Sequence, residues 1–410
     1  MDKGVDVDGR NVSILLYADD IVLLSDSEQN LQDMLTYMSN WCFKWKLKLN
    51  VDKSNIIHFR PKRIQETRFN FTYGEQHLTL VQHYKYLGIY LDAHLNFELC
   101  SNTLSDSAGR ALGGVIHKFK SVRDMGFRTF ERMFDSGVMS INNYAAEIWG
   151  FKDFQACKKI QNRAMRYYLG IHKFAPIAGM QGDLGWMSVR FKRFISTLRF
   201  WNRMIAMNDN RLTKHAFIND HTLSRRNWCS DVKYIFDLLD MNPVFDSLAV
   251  CPVTDAMATL ARIDNQDWKR QILTKPKLRT YRIFKTELET ELYVKYHLPR
   301  RQRSLLAQFR LGILPLRIET GRYDNTPIEN RLCTMCDMNV VENEFHFVIE
   351  CTRYRDYRNE LYNRASFVIN DLENMTSADK FSCICKFAQK YLSQFIVKSH
   401  ERRKNVLYDS

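Results

Sequence analysis

Residues 14–25 read ILLYADDIVLLS, two short apolar runs parted by Asp19 and Asp20. Burying one unpaired carboxylate is costly, and two side by side repel each other. Few folds accommodate such a pattern. The runs NVSILLY and IVLLS are β-prone, of strand length and bounded by polar residues. A tight hairpin between them, turning on Ala18 and the aspartates, puts both carboxylates at a sheet end and keeps them out of the core. Two readings of that tip stay open. It is an ordinary turn, where Asp is common, or an oxygen cluster for a hard cation such as Mg2+, which takes one or two carboxylates plus substrate phosphates.

The neighbouring segments continue in the same style. Asp8-Gly9 predicts a turn between two strands. Ser27 predicts a helix N-cap, and Leu31, Met34, Leu35, Met38, Cys42 and Trp45 mark the apolar stripe of a helix over about 28 to 46. KLKLNVDKSNIIHF reads as a loop into a strand near 55 to 60, FNFTYGEQHLTL as a hairpin around Tyr73-Gly74, and YKYLGIYLD as a further strand. Residues 1–95 are therefore expected as α+β, a helix packed on an antiparallel sheet. From 98 to 240 the pattern is mainly helical. Phe130, Met133, Phe134 and Val138 form one stripe, and Phe191, Phe194, Ile195, Leu198 and Trp201 another, both read as core. Lys192, Arg193, Arg199 and Arg203 on the opposite faces either touch a phosphate backbone or form a solvated face.

Charge points to the partner. The 410 residues carry 60 Lys and Arg against 46 Asp and Glu, a net +14, which suits an acidic partner, most simply nucleic acid. Apolar residues make up 45% of the chain, enough for real cores and too many for a disordered one. The opening MDKGVDVDGR has mixed charge and no apolar signal region, and the apolar run at 12–24 is broken by the aspartates and too short to span a bilayer. Ten cysteines are scattered without a disulfide-like framework. An intracellular setting, nucleus or cytoplasm, is the expectation.

A second chemical centre lies in RLCTMCDMNVVENEFHFVIECTRYRDYR. Cys333, Cys336, His346 and Cys351 follow the spacing C-x2-C-x9-H-x4-C. Three thiolates and one imidazole suit a tetrahedral structural Zn2+, and four protein ligands leave no open position for catalysis. EFHFVIEC reads as a short helix from which His346 and Cys351 reach the metal. Cys383 and Cys385 read as packed thiols. Upstream, Arg300, Arg301, Arg303, Arg310, Arg317 and Arg322 are relieved by one Glu, and Tyr354, Arg355, Tyr357 and Arg358 follow the last ligand. Arginine interleaved with aromatics suits phosphate contact and base stacking; the alternative is a solvated basic helix.

YADD, WCFKWKLKLNVDKSNIIHF and YLGIYLD, in this order and spacing, resemble three successive blocks of the reverse transcriptases of non-LTR (LINE-type) retrotransposons. The first resembles the metal-binding turn of the palm, the second the block with a lysine after an Asn, the third the palm-to-thumb junction. Residues 130–150 and 181–204 are similar to thumb and post-thumb segments, and the Cys-His region to the cysteine-rich C-terminal segment of these elements; 205–295 is the least recognisable part. The resemblance implies a partial palm over 1–95, a helical thumb over 96–175, a helical connector over 176–297, a basic zinc-binding module over 298–365 and a helical tail over 366–410. It implies RNA-directed DNA synthesis on an RNA and DNA template-primer with dNTPs. Asp19 and Asp20 would hold Mg2+, Lys53 would protonate the leaving pyrophosphate, and Tyr86, Leu87 and Gly88 would position the primer.

The chain also departs from that pattern. Two-metal polymerases need carboxylates from two palm segments. Asp2, Asp6 and Asp8 lie too close to be the first: ten residues separate Asp8 from Asp19, with no room for the template-contacting segment between. Fingers are missing too. The expectation is a catalytically incomplete fragment of such an enzyme. Its rivals are a nucleic-acid-binding protein with a structural zinc and no polymerase activity, and a zinc-stabilised interaction protein without nucleic acid.

Overall fold

The computed structural model describes residues 3–223 and 227–408. It is mostly helical, with short strands confined to the first 92 residues among those described. β1 (Val5–Val7) and β2 (Arg10–Val12) form a hairpin turning on Asp8 and Gly9, at φ 55° and 73°. Two left-handed residues are what a tight hairpin turn of this twist requires. β3 (Ile14–Tyr17) pairs with β4 (Asp20–Leu23) in the register Leu16↔Ile21 and Tyr17↔Asp20. α1 (Glu28–Lys44) starts where Ser27 accepts a hydrogen bond from the Asn30 N–H at 3.2 Å, and its stripe buries Met34, Leu35 and Cys42. Leu35 packs in a small core with Ile56, Phe71 and Leu78.

The strands do not join into the expected antiparallel sheet. They form five separate pairs. β5 (Asn55–Ile56) runs parallel to β8 (Thr79–Leu80), while β6 (Thr72–Tyr73) with β7 (Gln76–His77) and β9 (His83–Tyr86) with β10 (Ile89–Asp92) are antiparallel. Strands of two to four residues hold only their hairpin partner, and the strand expected near 55–60 stops at Ile56, after which no regular element follows until Thr72. YKYLGIYLD is a hairpin and not one strand: Leu87 and Gly88, at φ 46° and 89°, turn it back on itself.

Trp45 also leaves its expected place on the α1 stripe. The helix closes with the Lys46 N–H on the Phe43 carbonyl (3.2 Å) and the Leu47 N–H on the Cys42 carbonyl (2.9 Å), a pattern that needs a left-handed residue and usually takes Gly. Lys46 fills it at φ 56°, and the reversal leaves Trp45 61% exposed.

The chain divides into two compact units. The first contains residues up to Asp106, Asn143–Phe154 and Arg193–Ala256; the second contains Ser107–Asn142, Gln155–Lys192 and residues from Met257 on. Helices of eight residues or more continue as α2 (Glu98–Ser121), α3 (Phe127–Phe134), α4 (Gln155–Leu169), α5 (Ile177–Leu184), α6 (Val189–Ile205), α7 (Leu212–Thr222), α8 (Trp228–Leu239), α9 (Val253–Thr274), α10 (Arg300–Arg310), α11 (Arg355–Ala365), α12 (Ser377–Phe387) and α13 (Gln389–Tyr408). Both aromatic stripes are core. Phe130, Phe134, Val138, Phe191, Phe194, Ile195, Leu198 and Trp201 are all buried, with Met133 half-buried. In the first unit Trp201 packs against Phe217, Phe236 and Phe245 at 5.0–5.3 Å between ring centres. No helix among the described residues is long and apolar enough to cross a membrane.

Candidate metal centres and basic surface

The turn of the β3–β4 hairpin is two residues, Ala18 and Asp19; Asp20 already belongs to β4. Ala18 stands at φ 52°, a conformation that costs an L-residue about 1–2 kcal/mol and that the tight turn imposes. Both carboxylates face solvent. Among the described residues neither has a third metal-capable side chain beside it, because the one such group of three or more is elsewhere. The strands behind the tip are unusually bare. Leu16 is 67% and Tyr17 63% exposed, and Ile14, Leu15 and Ile21 are exposed as well.

Lys53 is exposed at the end of a short 3-10 turn, Val51–Lys53, which Asn50 caps. Its carbonyl accepts from the Tyr84 hydroxyl at 3.2 Å. Tyr86 lines a cavity of about 550 Å3 together with Leu15, Ile21, Leu35, Phe59 and Leu91. Asp19, Asp20 and Lys53 do not line it. Leu87 and Gly88 form the β9–β10 turn. The Tyr144 hydroxyl donates to the Leu87 carbonyl at 3.2 Å, and a Cβ on Gly88 would come within 3.0 Å of the same ring. Gly88 is therefore held by both its φ and this close approach.

The Cys-His group assembles in the second unit. The ligand atoms of Cys333, Cys336, His346 and Cys351 all lie within 4.8 Å of one another. Cys333 Sγ is 4.0 Å from Cys351 Sγ, and Cys336 Sγ is 3.4 Å from His346 Nε2. A tetrahedral Zn2+ site would set roughly 3.8 Å between sulfurs and about 3.6 Å between sulfur and nitrogen. The residues fit the ion, and the cysteines are free thiols. A β-bridge between Leu332 and Val341 closes the loop, and the Met335 N–H points at Cys333 Sγ (3.4 Å). The expected short helix is present as a π-helical turn, His346–Glu350, which brings His346 and Cys351 to one point. The hydrogen bond to Cys351, then burial, pushes the Cys333 thiol up to about 12, and the same bond lowers Cys351.

A supporting shell surrounds the ligands. Glu350 lies 3.2 Å from His346 Nδ1, leaving Nε2 for the metal side. Its i, i+4 spacing from His346 was the available signal for it. Glu342, fully buried, sits 3.7 Å from Cys333 Sγ, accepts from the Arg317 N–H at 2.7 Å and is paired with Arg403 of α13. Nothing in the sequence spacing announces a partner 61 residues away. Glu344 anchors the loop through Arg279 (2.6 Å) and Thr280 (2.8 Å). The loop's own aromatics pack outward onto helices, Phe345 on Phe381 at 5.4 Å and Phe347 on Phe395 at 5.5 Å.

The arginines divide sharply. Arg303, Arg310 and Arg358 are buried, which removes them from any phosphate-binding surface. Arg303 binds Asp124 (2.8 Å) and the Tyr168 and Leu298 carbonyls. Arg310 binds Asp183 (3.0 Å) and Glu291 (3.1 Å), and Asp183 also accepts from the Tyr281 and Tyr293 hydroxyls. Arg358 donates to the Val348 and Cys351 carbonyls and so braces the metal loop. Arg193 is likewise buried in the first unit, donating to the Gly150 and Lys152 carbonyls. Arg300 is half-buried over Tyr167 (4.7 Å), Arg317 faces Asp324 (3.4 Å), and Arg301, Arg322 and Arg355 are exposed. Sequence reading missed Arg353 and Arg402. Arg402 stacks on Tyr357 at 4.1 Å and donates to the Arg353 carbonyl, which extends the exposed cationic surface beside the last metal ligand.

Residues 3–91 match the reverse transcriptase (RNA-dependent DNA polymerase) family. The chain is 29% identical over 145 residues to a transposon-derived protein of Caenorhabditis elegans, covering 35% of this chain and 51% of that protein. It is 25% identical over 206 residues to a Drosophila melanogaster protein named as an RNA-directed DNA polymerase from transposon BS, covering 48% of this chain and 23% of that protein. The matched part thus spans about half of the first relative and about a quarter of the second.

Proposed function

We infer, for a chain that belongs to the non-LTR retrotransposon reverse transcriptases, a part in RNA-directed DNA synthesis on an RNA and DNA template-primer. Asp19 and Asp20 hold divalent cations at the hairpin tip, Lys53 gives a proton to the leaving pyrophosphate, and Tyr86, Leu87 and Gly88 support the primer end. Asp19 and Asp20 would hold Mg2+, which would supply charge stabilisation for phosphoryl transfer. The Cys333, Cys336, His346 and Cys351 loop holds one structural Zn2+. That ion fixes the surface of Arg301, Arg322, Arg353, Arg355 and Arg402 for the nucleic-acid backbone. The partial palm, thumb, connector, zinc module and tail expected along the chain remain the working division. The observation carrying this reading is that the solvent-facing carboxylates of Asp19 in the turn and Asp20 at the start of β4 lie inside the segment that matches the family.

A second reading, a nucleic-acid-binding protein with a structural zinc and no polymerisation, is favoured by one observation. Asp19 and Asp20 have no third metal-capable side chain beside them among the described residues. One experiment separates the two. The zinc-loaded chain is titrated with an RNA template carrying an annealed DNA primer, then given dNTPs and Mg2+. Binding is expected, with log affinity falling against log salt at a slope of roughly −3.5 to −4.5 if five arginines reach phosphate. Extension that Asp19→Asn abolishes supports catalysis. Binding without extension supports the second reading, and absence of binding overturns both.

A further inference from the structure

Helix α1 carries a second, exposed stripe beside its buried one. Tyr37 and Trp41 lie four residues apart, each one residue or about 100° from Met38 and Cys42 of the buried stripe, and Trp45 follows them at the C-cap. Tyr37, Trp41 and Trp45 are 57%, 42% and 61% exposed, and Phe43 beside them is 86% exposed. The indole rings of Trp41 and Trp45 stand 6.3 Å apart and 45° to each other. Lys44, Lys46 and Lys48 alternate with these rings and with Leu47, all facing solvent. None of the three forms an ion pair or hydrogen bond through its ammonium among the described residues. Lys44, in the last helical turn, answers the helix dipole. Lys46 and Lys48 lie beyond it, and the dipole does not explain three large rings left in water.

Lys46 adds an independent observation. It occupies the left-handed closing position of the helix at φ 56°, where Gly carries no steric penalty. The left-handed closure sets the Lys46 cation next to Trp45, at the end of the aromatic stripe. Aromatic rings spaced along a rigid helix and interleaved with unpaired ammonium groups match one ligand class well: an unpaired polynucleotide strand, its bases stacking on the rings and its phosphates meeting the lysines. Lipid headgroups also attract Trp and Lys. The strip, however, lies inside the segment that matches a nucleic-acid-copying family, on a chain of net charge +14.

We propose that Tyr37, Trp41 and Trp45 with Lys44, Lys46 and Lys48 form a binding platform for single-stranded nucleic acid, separate from the metal-bearing turn and from the zinc region. This rests on the reading of the chain as a nucleic-acid binder and assigns it a site. The test titrates the full zinc-loaded chain with an end-labelled single-stranded oligouridine, following anisotropy and tryptophan fluorescence. Quenching is expected. Trp41→Ala and Trp45→Ala each lower affinity about fivefold or more, while Trp45→Tyr keeps most of it. Lys46→Gly raises the melting temperature yet weakens binding, and replacing all three lysines by Gln reduces the salt slope by about 2. The stabilised variant keeps the test meaningful should an alanine variant fold poorly. Binding that survives both Trp41→Ala and Trp45→Ala overturns the platform and leaves the zinc-region reading standing. Quenching by phosphatidylserine vesicles with none by RNA overturns it in favour of a membrane surface. A dimer dissolved by the same substitutions overturns it in favour of a second copy of the chain.

Discussion

The two groups of candidate metal ligands are embedded in opposite ways. Asp19 and Asp20 stand at an exposed tip, on strands whose apolar side chains are largely in water. The Cys-His ligands are mostly buried, cross-braced by Glu342, Glu344, Arg358 and Arg403, and tied to helices by Phe345 and Phe347. Soft ligands for a structural ion must be held in a closed shell, because the ion's worth is the order it imposes. Carboxylates meant for a hard ion shared with substrate phosphates stay open to solvent. The same distinction runs through the arginines. Those with buried carbonyls and carboxylates around them hold the fold together, and those left outside, such as Arg301 beside Glu401 at 2.7 Å, keep solvent access.

The largest expected effect breaks the closed site. Zinc binding to such ligand sets contributes roughly 10–16 kcal/mol in isolated peptides. Chelation, Cys333→Ser or His346→Ala should therefore lower the melting temperature more than any change at the hairpin, while the helix-packed loop keeps part of its order. Elemental analysis of protein prepared under reducing conditions should find one zinc per chain, and its absence would remove the comparison altogether. Next comes the shell. Arg403→Met strands the Glu342 carboxylate in the interior and should cost about 3–5 kcal/mol in denaturant unfolding. Arg403→Met with Glu342→Gln together should recover much of it; full additivity would mean the pair is not coupled.

A third prediction sets a buried carboxylate against the exposed ones. Asp264, on α9, accepts from the Ser188 N–H at 2.8 Å, and burial raises its pKa to about 6. Its folded value lies above the unfolded one, so the stability linked to its proton is complete below about pH 4 and is lost as pH rises through about 6. At pH 7 Asp264→Asn should stabilise by on the order of 2–3 kcal/mol, and the gain should vanish by about pH 4. A pH-independent effect would contradict this. The smallest effect is expected at the tip. Asp19→Asn with Asp20→Asn should change stability by less than about 1 kcal/mol, since two exposed like charges hold nothing in place. A larger loss in thermal unfolding would reveal a structural role for the pair.

Much of this was legible in the chain itself. Alternating apolar runs around a polar pair give a hairpin, Ser27 before a 3.6-residue stripe starts a helix, and C-x2-C-x9-H-x4-C brings four ligands within reach. These are local rules, fixed by backbone sterics and side-chain chemistry over a few residues. Tertiary structure decided what local rules cannot reach. Nothing in the spelling of Arg303, Arg310 and Arg358 separates them from Arg301 and Arg355; burial does, because a guanidinium enclosed among carbonyls and carboxylates is out of reach of a phosphate at the surface. The division of the strands into five short pairs, and the turn that frees Trp45 from its stripe, were equally hidden. Register and helix closure depend on where the chain reverses, and the partner that stabilises a reversal, as Tyr144 does for Leu87 and Gly88, can lie more than fifty residues away.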